Sequence, residues 1–332
     1  HKLLRSVSLL TLVGLLVLGG VLALLSAILF LLPIGRVEMG ATTPKVRHDE
    51  RDVLFARRRL KPGSPEWEAY YAMRPENREK DDAFRDLPGL LSPRSRFADP
   101  FLFASADASF FLTESLRDAV DGPVAEERQA LPPETLTAFV KDLAHYYGAV
   151  GVGVTGTQPY HIYSHVGRGS GNWGEPIAGE YRYAIALAVK MNFHMVGTAP
   201  GPQTVAESAR QYVEAARVAV QLAAALRNLG FPSRAHIDGN YRVIAPLVAR
   251  DAGLGEIGRM GLLMTPPYGP RLRLAVVTTE APLVPDGRDP RPDMIDFCNI
   301  CQKCVACCPA QAIPAGPRRE IDGALRWRID SD

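Results

Sequence analysis

Cysteine is absent from the chain until residue 298, and all five cysteines fall between 298 and 308. A secreted disulfide framework spreads its cysteines so that the bridges close loops. Five in one short stretch close none, and nothing elsewhere is left to pair with them. The cluster therefore points to metal ligation in a reducing compartment. Charge of one sign is also scarce: 38 Lys+Arg against 36 Asp+Glu leaves a net +2. That balance argues against a polyanion binder, so no nucleic-acid partner is expected. No phosphate-cradling GxxxxGK[ST] loop and no nucleophile elbow occurs. Disorder as the main state is excluded by a 47% hydrophobic and 22% charged composition. The 29 glycines and 27 prolines call for many loops, and 332 residues are enough for one large or two ordinary domains.

What the front of the chain does have is a long apolar run. No charged residue occurs from Leu9 to Leu32, and a helix needs roughly 20 apolar residues to cross the hydrocarbon core. A signal peptide has a shorter apolar stretch, about 7–15 residues, before a small-residue cleavage site. This run is longer, ends in Leu31-Leu32-Pro33, and follows no twin-arginine pair. A membrane anchor embedded in a lipid bilayer is expected. Lys2 and Arg5 precede it, whereas Arg36, Lys45, Arg47, Arg51, Arg57, Arg58 and Arg59 follow. That bias puts the body on the cytoplasmic side.

Residues 36 to about 100 are charged and broken by prolines, which reads as a linker with short helices, one of them Pro65–Tyr71. Pro133–Tyr147 has Leu136, Phe139, Val140, Leu143 and Tyr147 on one helical face. Ala149–Thr155 and Arg271–Thr278 read as strands, and Tyr183–Val196 as a strand with its entry. The clearest helix covers 205–229. Thr204 and Glu207 are expected to form a capping box, and Gly230 with Pro232 ends the helix. Val205, Ala209, Tyr212, Ala216, Ala219, Ala223 and Leu226 share its inner face. Helices alternating with strands make an α/β or α+β core from about 135 to 285.

Two motifs carry chemistry. Cys298-x-x-Cys301-x-x-Cys304-x-x-x-Cys308-Pro309 has the bacterial ferredoxin spacing, in which three thiolates hold one [4Fe–4S] cluster and the fourth turns to a second. Cys307 offers a rival register, but the following proline favours Cys308. A zinc site more commonly uses two separated Cys-x-x-Cys pairs. Two clusters need eight ligands, so a further cysteine motif is expected just beyond residue 332. The chain, starting at His1, is accordingly expected to be a piece of a longer one. The second motif, Gly253-Leu-Gly255-Glu-Ile-Gly258, matches a dinucleotide fingerprint, with Glu280 roughly at the place of a ribose-binding acid. Pro266-Pro267 follows too soon for the helix that such a site requires. These glycines instead let the backbone approach another flat cofactor, or make tight turns.

Several segments together resemble the catalytic subunits of reductive dehalogenases: Pro65–Tyr71, Ala188–Pro200, Ala252–Pro266, the Gly-Pro-Arg-Leu-Arg of Tyr268–Arg273, and Phe297–Pro309. They occur in family order and cover about residues 48 to 332. The resemblance implies an α+β fold with a nitroreductase-like core that binds a base-off corrinoid (cobalamin) beside two [4Fe–4S] clusters. No histidine ligates the cobalt in that family. In agreement, Asn192 and Arg234 stand where a D-x-H-x-x-G motif at His194 or His236 would need its aspartate. By the family's motif Tyr212 is the proton donor, Arg273 the basic residue that steadies tyrosinate, and Asn240 a polar residue near the substrate. Gly253, Gly255 and Gly258 would lie against the cofactor, and Cys298, Cys301, Cys304 and Cys308 would ligate iron.

The implied layout is an anchor over 1–35, a linker and helical segment over 36–134, a corrinoid-binding core over 135–288 and a truncated ferredoxin-like module over 289–332. The implied partners are a small organohalide and an external electron donor, namely a ferredoxin, a flavodoxin or a membrane redox protein. Three features depart from the family: a membrane span without twin arginines, the missing second cysteine motif, and the additional Cys307. The rival readings are an epoxyqueuosine reductase, which the apolar span and the Tyr212 match disfavour, and a non-catalytic membrane electron-transfer protein of ferredoxin type.

Overall fold

The computed structural model describes residues 2–31, 38–169 and 171–330, and the chain divides into two compact units, 1–38 and 39–332. In the first unit α1 runs over Lys2–Leu31. Its Thr11–Phe30 stretch has a hydropathy of 2.7 and no buried share. A helix of this length and composition suits a membrane anchor and an N-terminal signal alike. Leu32, Pro33 and Arg36, which entered the sequence reading of this region, lie outside the described residues.

In the second unit the helices are α2 (Leu54–Arg57), α3 (Pro65–Met73), α4 (Arg78–Arg85), α5 (Pro100–Ser115), α6 (Pro133–Tyr146), α7 (Phe193–Val196), α8 (Pro202–Asn228), α9 (Ala245–Asp251), α10 (Pro292–Cys301) and α11 (Lys303–Cys307). The strands are β1 (Gly151–Gly156), β2 (Tyr183–Lys190), β3 (Ser233–His236), β4 (Glu256–Ile257), β5 (Leu263–Met264), β6 (Leu272–Thr279), β7 (Arg319–Ile321) and β8 (Ala324–Arg326). One antiparallel sheet in the order β1-β2-β6-β3 forms the centre, while β4-β5 and β7-β8 are separate two-stranded ladders. The sequence boundaries at 134/135 and 288/289 fall within this one unit.

Side chains alternate across a strand, and here both sides of the sheet are covered. Ile185, Leu187 and Val189 of β2, with Ala275 and Val277 of β6, join Leu136 and Val140 of α6 and Leu222 and Leu226 of α8 in one buried cluster. Ala184, Ala186 and Val276 take the opposite face, against Ala245, Val248 and Ala249 of α9. A strand buried on both faces reads as a continuous apolar run, which is why β2 stands out in the sequence. Alanines at 215, 216, 219 and 223 give α8 a flat face that lies close on the sheet.

Two expectations are corrected. Phe139, expected on the inner face of α6, is 44% exposed, while Leu136 and Val140 are fully buried. The apolar stripe of α6 is one position narrower than the sequence pattern allowed. The Thr204–Glu207 capping box does not form, because α8 begins earlier, with Gly201 at the N-cap and Pro202 at the first helical position. Thr204 is therefore inside the helix, and its hydroxyl donates to the Met195 carbonyl at 2.9 Å. The Glu207 carboxylate accepts from the Asn192 backbone N–H at 2.6 Å and from Gln211 Nε2 at 3.0 Å. The far end of α8 closes as expected: Gly230 takes φ +83°, and the Gly230 and Phe231 amides return to the Arg227 and Leu226 carbonyls.

Residues 39–134 hold more structure than their proline content suggests. Ser64 caps α3 and Pro65 starts it, so Trp67, Tyr70 and Tyr71 form a small buried cluster with Leu60. Beneath them the buried ion pair Arg57–Asp81 (3.0 Å) is shared with the Tyr71 hydroxyl, which donates to Asp81 at 2.9 Å. Helix α5, capped by Asp99 and started by Pro100, packs against α8.

Candidate active site and cysteine-bearing segment

Ser208 and Tyr212 are one turn apart on α8 and so face the same way. At the start of β6, Arg273 reaches back to both: its guanidinium lies over the Tyr212 ring, 4.7 Å from the centroid, and Nη2 donates to Ser208 Oγ. Nη1 donates to the Leu272 carbonyl at 3.3 Å, while the Nε–H is buried without a hydrogen-bond partner. Phe110 of α5 closes another side of the tyrosine, with ring centroids 6.5 Å apart. Tyr212 is half-buried, and no hydrogen bond to its hydroxyl is found among the described residues.

Burial raises the Tyr212 pKa above the ordinary phenol value. Arg273 is the largest opposing influence, Asp238 adds to the rise and Arg168 subtracts from it. The sequence reading had Arg273 tipping this group toward tyrosinate. Arg273 does pull that way, but desolvation outweighs it and the phenol stays protonated at neutral pH. Tyr241 lies in the same neighbourhood; its hydroxyl donates to the Leu274 carbonyl at 3.0 Å.

Asn240 is buried, at 1% exposure. Its Oδ1 accepts from Arg234 Nη2 at 2.8 Å and its Nδ2 donates to the Arg117 carbonyl at 3.0 Å. Both ends of the amide are thus engaged with the protein, which suits a residue that shapes the wall. Of the two histidines weighed in the sequence, His194 is exposed on α7. His236 is fully buried and doubly bonded: Nδ1 accepts from the Arg242 amide at 3.1 Å, so Nε2 carries the proton, facing Thr278 Oγ1 at 2.9 Å.

The fingerprint glycines open no helix; they lead into the β4-β5 ladder. Each has a close neighbour within the chain. A Cβ on Gly255 would sit 2.1 Å from the Met264 carbonyl oxygen, and one on Gly253 (φ +79°) 2.8 Å from that of Gly287. A Cβ on Gly258 would come within 2.7 Å of Met264 Cγ and 3.3 Å of Cys298 Sγ. The third glycine therefore lies directly against the first cysteine of the ferredoxin pattern.

Cys298 and Cys301 end α10, and a left-handed Gln302 (φ +45°) breaks the chain into α11, which carries Cys304 and Cys307. Cys298, Cys304 and Cys308 are half-buried, and Cys301 and Cys307 are exposed. After Pro309 the chain turns back, with the Gln311 amide donating to the Cys308 carbonyl at 3.1 Å, and the backbone N–H groups of residues 310–313, that of Ala312 foremost, lower the Cys308 thiol pKa. Nearby backbone N–H groups favour a negatively charged sulfur. Burial pushes the Cys304 thiol up, and its field comes partly from Cys298 and partly from Arg259. The donor set fits iron–sulfur ligation by chemistry: four thiols at the right spacing, with backbone amides favouring the thiolate at Cys308. Among the described residues no three His, Cys, Asp or Glu side chains are already drawn together to hold a metal ion, so a bound cluster would have to gather the thiols.

A cavity of about 510 Å³ opens beside this segment, lined by His48, Tyr163, Arg250, Gly258, Arg326 and Trp327 among others. Its wall mixes charged, carbonyl and apolar groups, and Arg326 Nε is buried there without a partner. Such a mixed lining can meet only part of a corrinoid, whose ring is apolar in its faces and fringed with amides and whose bulk exceeds this volume.

Ser208, Phe110 and Arg168 were missed by sequence reasoning. Ser208 had a usable signal, its spacing of four from Tyr212. Phe110 had only the Asp99-Pro100 helix start, and Arg168 sits in a glycine-rich loop without periodicity.

The described residues thus form an antiparallel α+β core with a tyrosine under an arginine, followed by a segment with ferredoxin-pattern cysteines. No protein-family model matches the chain. It is 35% identical over 156 residues to a tetrachloroethene reductive dehalogenase of Sulfurospirillum multivorans, covering 44% of this chain and 30% of that one. Against a tetrachloroethene reductive dehalogenase of Desulfitobacterium hafniense the identity is 40% over 130 residues, covering 39% and 23%. Among solved structures, a catabolic reductive dehalogenase in complex with 3-bromo-4-hydroxybenzoic acid superposes with a TM-score of 0.69 at 24% identity, over 90% of this chain and 40% of that one. A second, described in terms of B12-dependent dehalogenation, gives a TM-score of 0.62 at 26% identity, over 75% and 37%. The chain is similar to reductive dehalogenases over part of their length: it spans less than a third of the length of these curated relatives.

Proposed function

We propose that the chain is the corrinoid-binding part of a membrane-anchored reductive dehalogenase, acting on a small organohalide with electrons from an external low-potential donor. The observation that carries this is the Tyr212–Arg273 pair: a protonated, half-buried phenol with a guanidinium over its ring and an unsatisfied Nε–H beside it. Carbon–halogen reduction consumes two electrons and one proton and releases a hydrogen-bearing carbon and halide. A bound corrinoid would supply the reduction at carbon, fed by iron–sulfur clusters of which Cys298, Cys301, Cys304 and Cys308 would hold ligands.

The chain's own residues supply the proton. Tyr212 holds it at Oη, because burial keeps the phenol neutral. When the proton leaves, the tyrosinate left behind is stabilised by Arg273, held in place by Ser208, and at longer range by Arg168. Those cations act on the charged form alone, so they favour the step of giving up the proton. Asn240, locked between Arg234 and the Arg117 carbonyl, holds the wall near the substrate. Of the three glycines, Gly253 and Gly255 support tight turns, and Gly258 brings the cofactor wall against Cys298. The apolar helix over 11–30 is the anchor, with the body on the cytoplasmic face.

The test is anaerobic reconstitution of the full chain with iron, sulfide and cobalamin, followed by halide-release assays on haloaromatics and haloalkenes. The expected result is corrinoid retention, at most four irons per chain, and halide release with a strong reductant. Iron uptake without corrinoid retention favours the ferredoxin-type electron-transfer reading and refutes this one.

A further inference from the structure

We propose that Arg259 is a positioning residue of the cysteine segment: it clamps the end of the first cysteine helix to the loop that wraps Cys308, and sets a fixed positive charge beside the thiolates. The proposal rests on the iron–sulfur reading above. Arg259 is 2% exposed. Its Nε donates to the Cys298 carbonyl at 3.0 Å, and Nη1 donates to the Pro314 and Gly316 carbonyls at 2.7 Å each. The guanidinium plane lies 4.5 Å from the Trp327 ring centroid, and Trp327 Nε1 donates to the same Gly316 carbonyl at 3.0 Å.

The physical need for a donor here is specific. Cys298 is in the last turn of α10, where carbonyls have no intrahelical partner and the helix dipole presents negative charge. Residues 314–316 form no strand, so the Pro314 and Gly316 carbonyls have no ladder partner and take side-chain donors instead. An arginine fork reaches both segments at once, whereas a lysine presents a single point charge. Gly258, one residue earlier, lacks the Cβ that would press on Met264 and Cys298 Sγ. The pair Gly258-Arg259 therefore makes room for the first cysteine and then grips its backbone. Pulling the 314–316 loop toward α10 also steadies the turn after Cys308, where the Gln311 amide donates to the Cys308 carbonyl at 3.1 Å.

The test uses the full chain and the variants Arg259→Gln and Arg259→Lys, reconstituted anaerobically with iron and sulfide. Three readouts serve: hydrogen exchange across 310–316 in cluster-free protein, the rate of iron loss to a chelator, and the cluster midpoint from an EPR-monitored redox titration. Loss of the fork should speed exchange and iron loss on the order of tenfold in both variants, equivalent to one charge-assisted hydrogen bond. The midpoint should fall in Arg259→Gln and stay at the wild-type value in Arg259→Lys, because a fixed cation favours the more negative, reduced cluster. Wild-type exchange, iron-loss rate and midpoint in a folded Arg259→Gln would overturn the proposal. If circular dichroism shows Arg259→Gln unfolded, wild-type exchange and iron-loss rates in Arg259→Lys overturn the clamp. Stable iron in the unaltered chain with unaffected variants refutes Arg259 alone. No iron uptake by the unaltered chain overturns the iron–sulfur reading and this proposal with it.

Discussion

Replacing Tyr212 by phenylalanine separates a proton donor from a packing residue, because the ring and its contacts with Phe110 and Arg273 remain and only the hydroxyl is lost. The Tyr212 hydroxyl makes no hydrogen bond among the described residues, so its removal leaves no buried partner unsatisfied. The stability cost should stay within the net worth of one hydrogen bond, about 0.5–1.5 kcal/mol. A general acid is worth roughly 10²–10⁴-fold in rate, which is about 2.7–5.4 kcal/mol of barrier at 1.36 kcal/mol per decade. The two effects are far enough apart to be told from one measurement. The pH dependence has a definite sign. Tyr212 has a raised pKa, so in the fold it keeps its proton through neutrality and past the ordinary phenol value near 10. It should therefore contribute no loss of rate between pH 6 and 9. Its stabilising effect is fully present below the unfolded pKa and is lost as pH rises through the raised folded value. The assay is anaerobic halide release, with corrinoid and iron content measured on the same samples. Turnover near wild type in a fully loaded Tyr212→Phe protein refutes Tyr212 as the donor.

Arg273→Gln removes the largest influence opposing the rise of the Tyr212 pKa, so the phenol should titrate still higher, read as tyrosinate absorbance against pH; an unchanged curve would contradict the ring-face geometry. Leu222→Ala opens a cavity between α8 and the sheet, where Leu222 is fully buried. Urea unfolding should show a loss of about 2–5 kcal/mol, and a loss below 1 kcal/mol would mean that the site collapses or that α8 packs differently. The full chain should stay with membranes through carbonate and high-salt washes, and removal of residues 1–38 should release the rest; release of the intact chain by salt alone would argue against an anchor.

Much of this protein is decided locally and so can be read from residue order. The apolar run of α1 depends on composition alone. The C-terminal end of α8 follows from Gly230 and Pro232, and the doubly buried β2 shows as an unbroken apolar stretch. The ferredoxin spacing in Cys298–Cys308 and the early Pro266-Pro267 after the glycines are both matters of chain distance, and the second agrees with a glycine segment that opens no helix. Other features depend on elements far apart in sequence. Whether Phe139 is inside or outside depends on where the sheet edge falls under α6. Thr204 left its cap because the turn from α7 brought the Met195 carbonyl to its hydroxyl. The protonation of Tyr212 is a balance between burial by α5 and β6 and the fields of Arg273, Arg168 and Asp238, brought together from five segments of the chain. Arg259 looked like one more charge in a glycine-rich motif until α10, the 314–316 loop and Trp327 closed around it. Hydrophobic periodicity and turn chemistry act over a few residues, whereas desolvation and buried hydrogen-bond pairing arise only once distant segments share one interior.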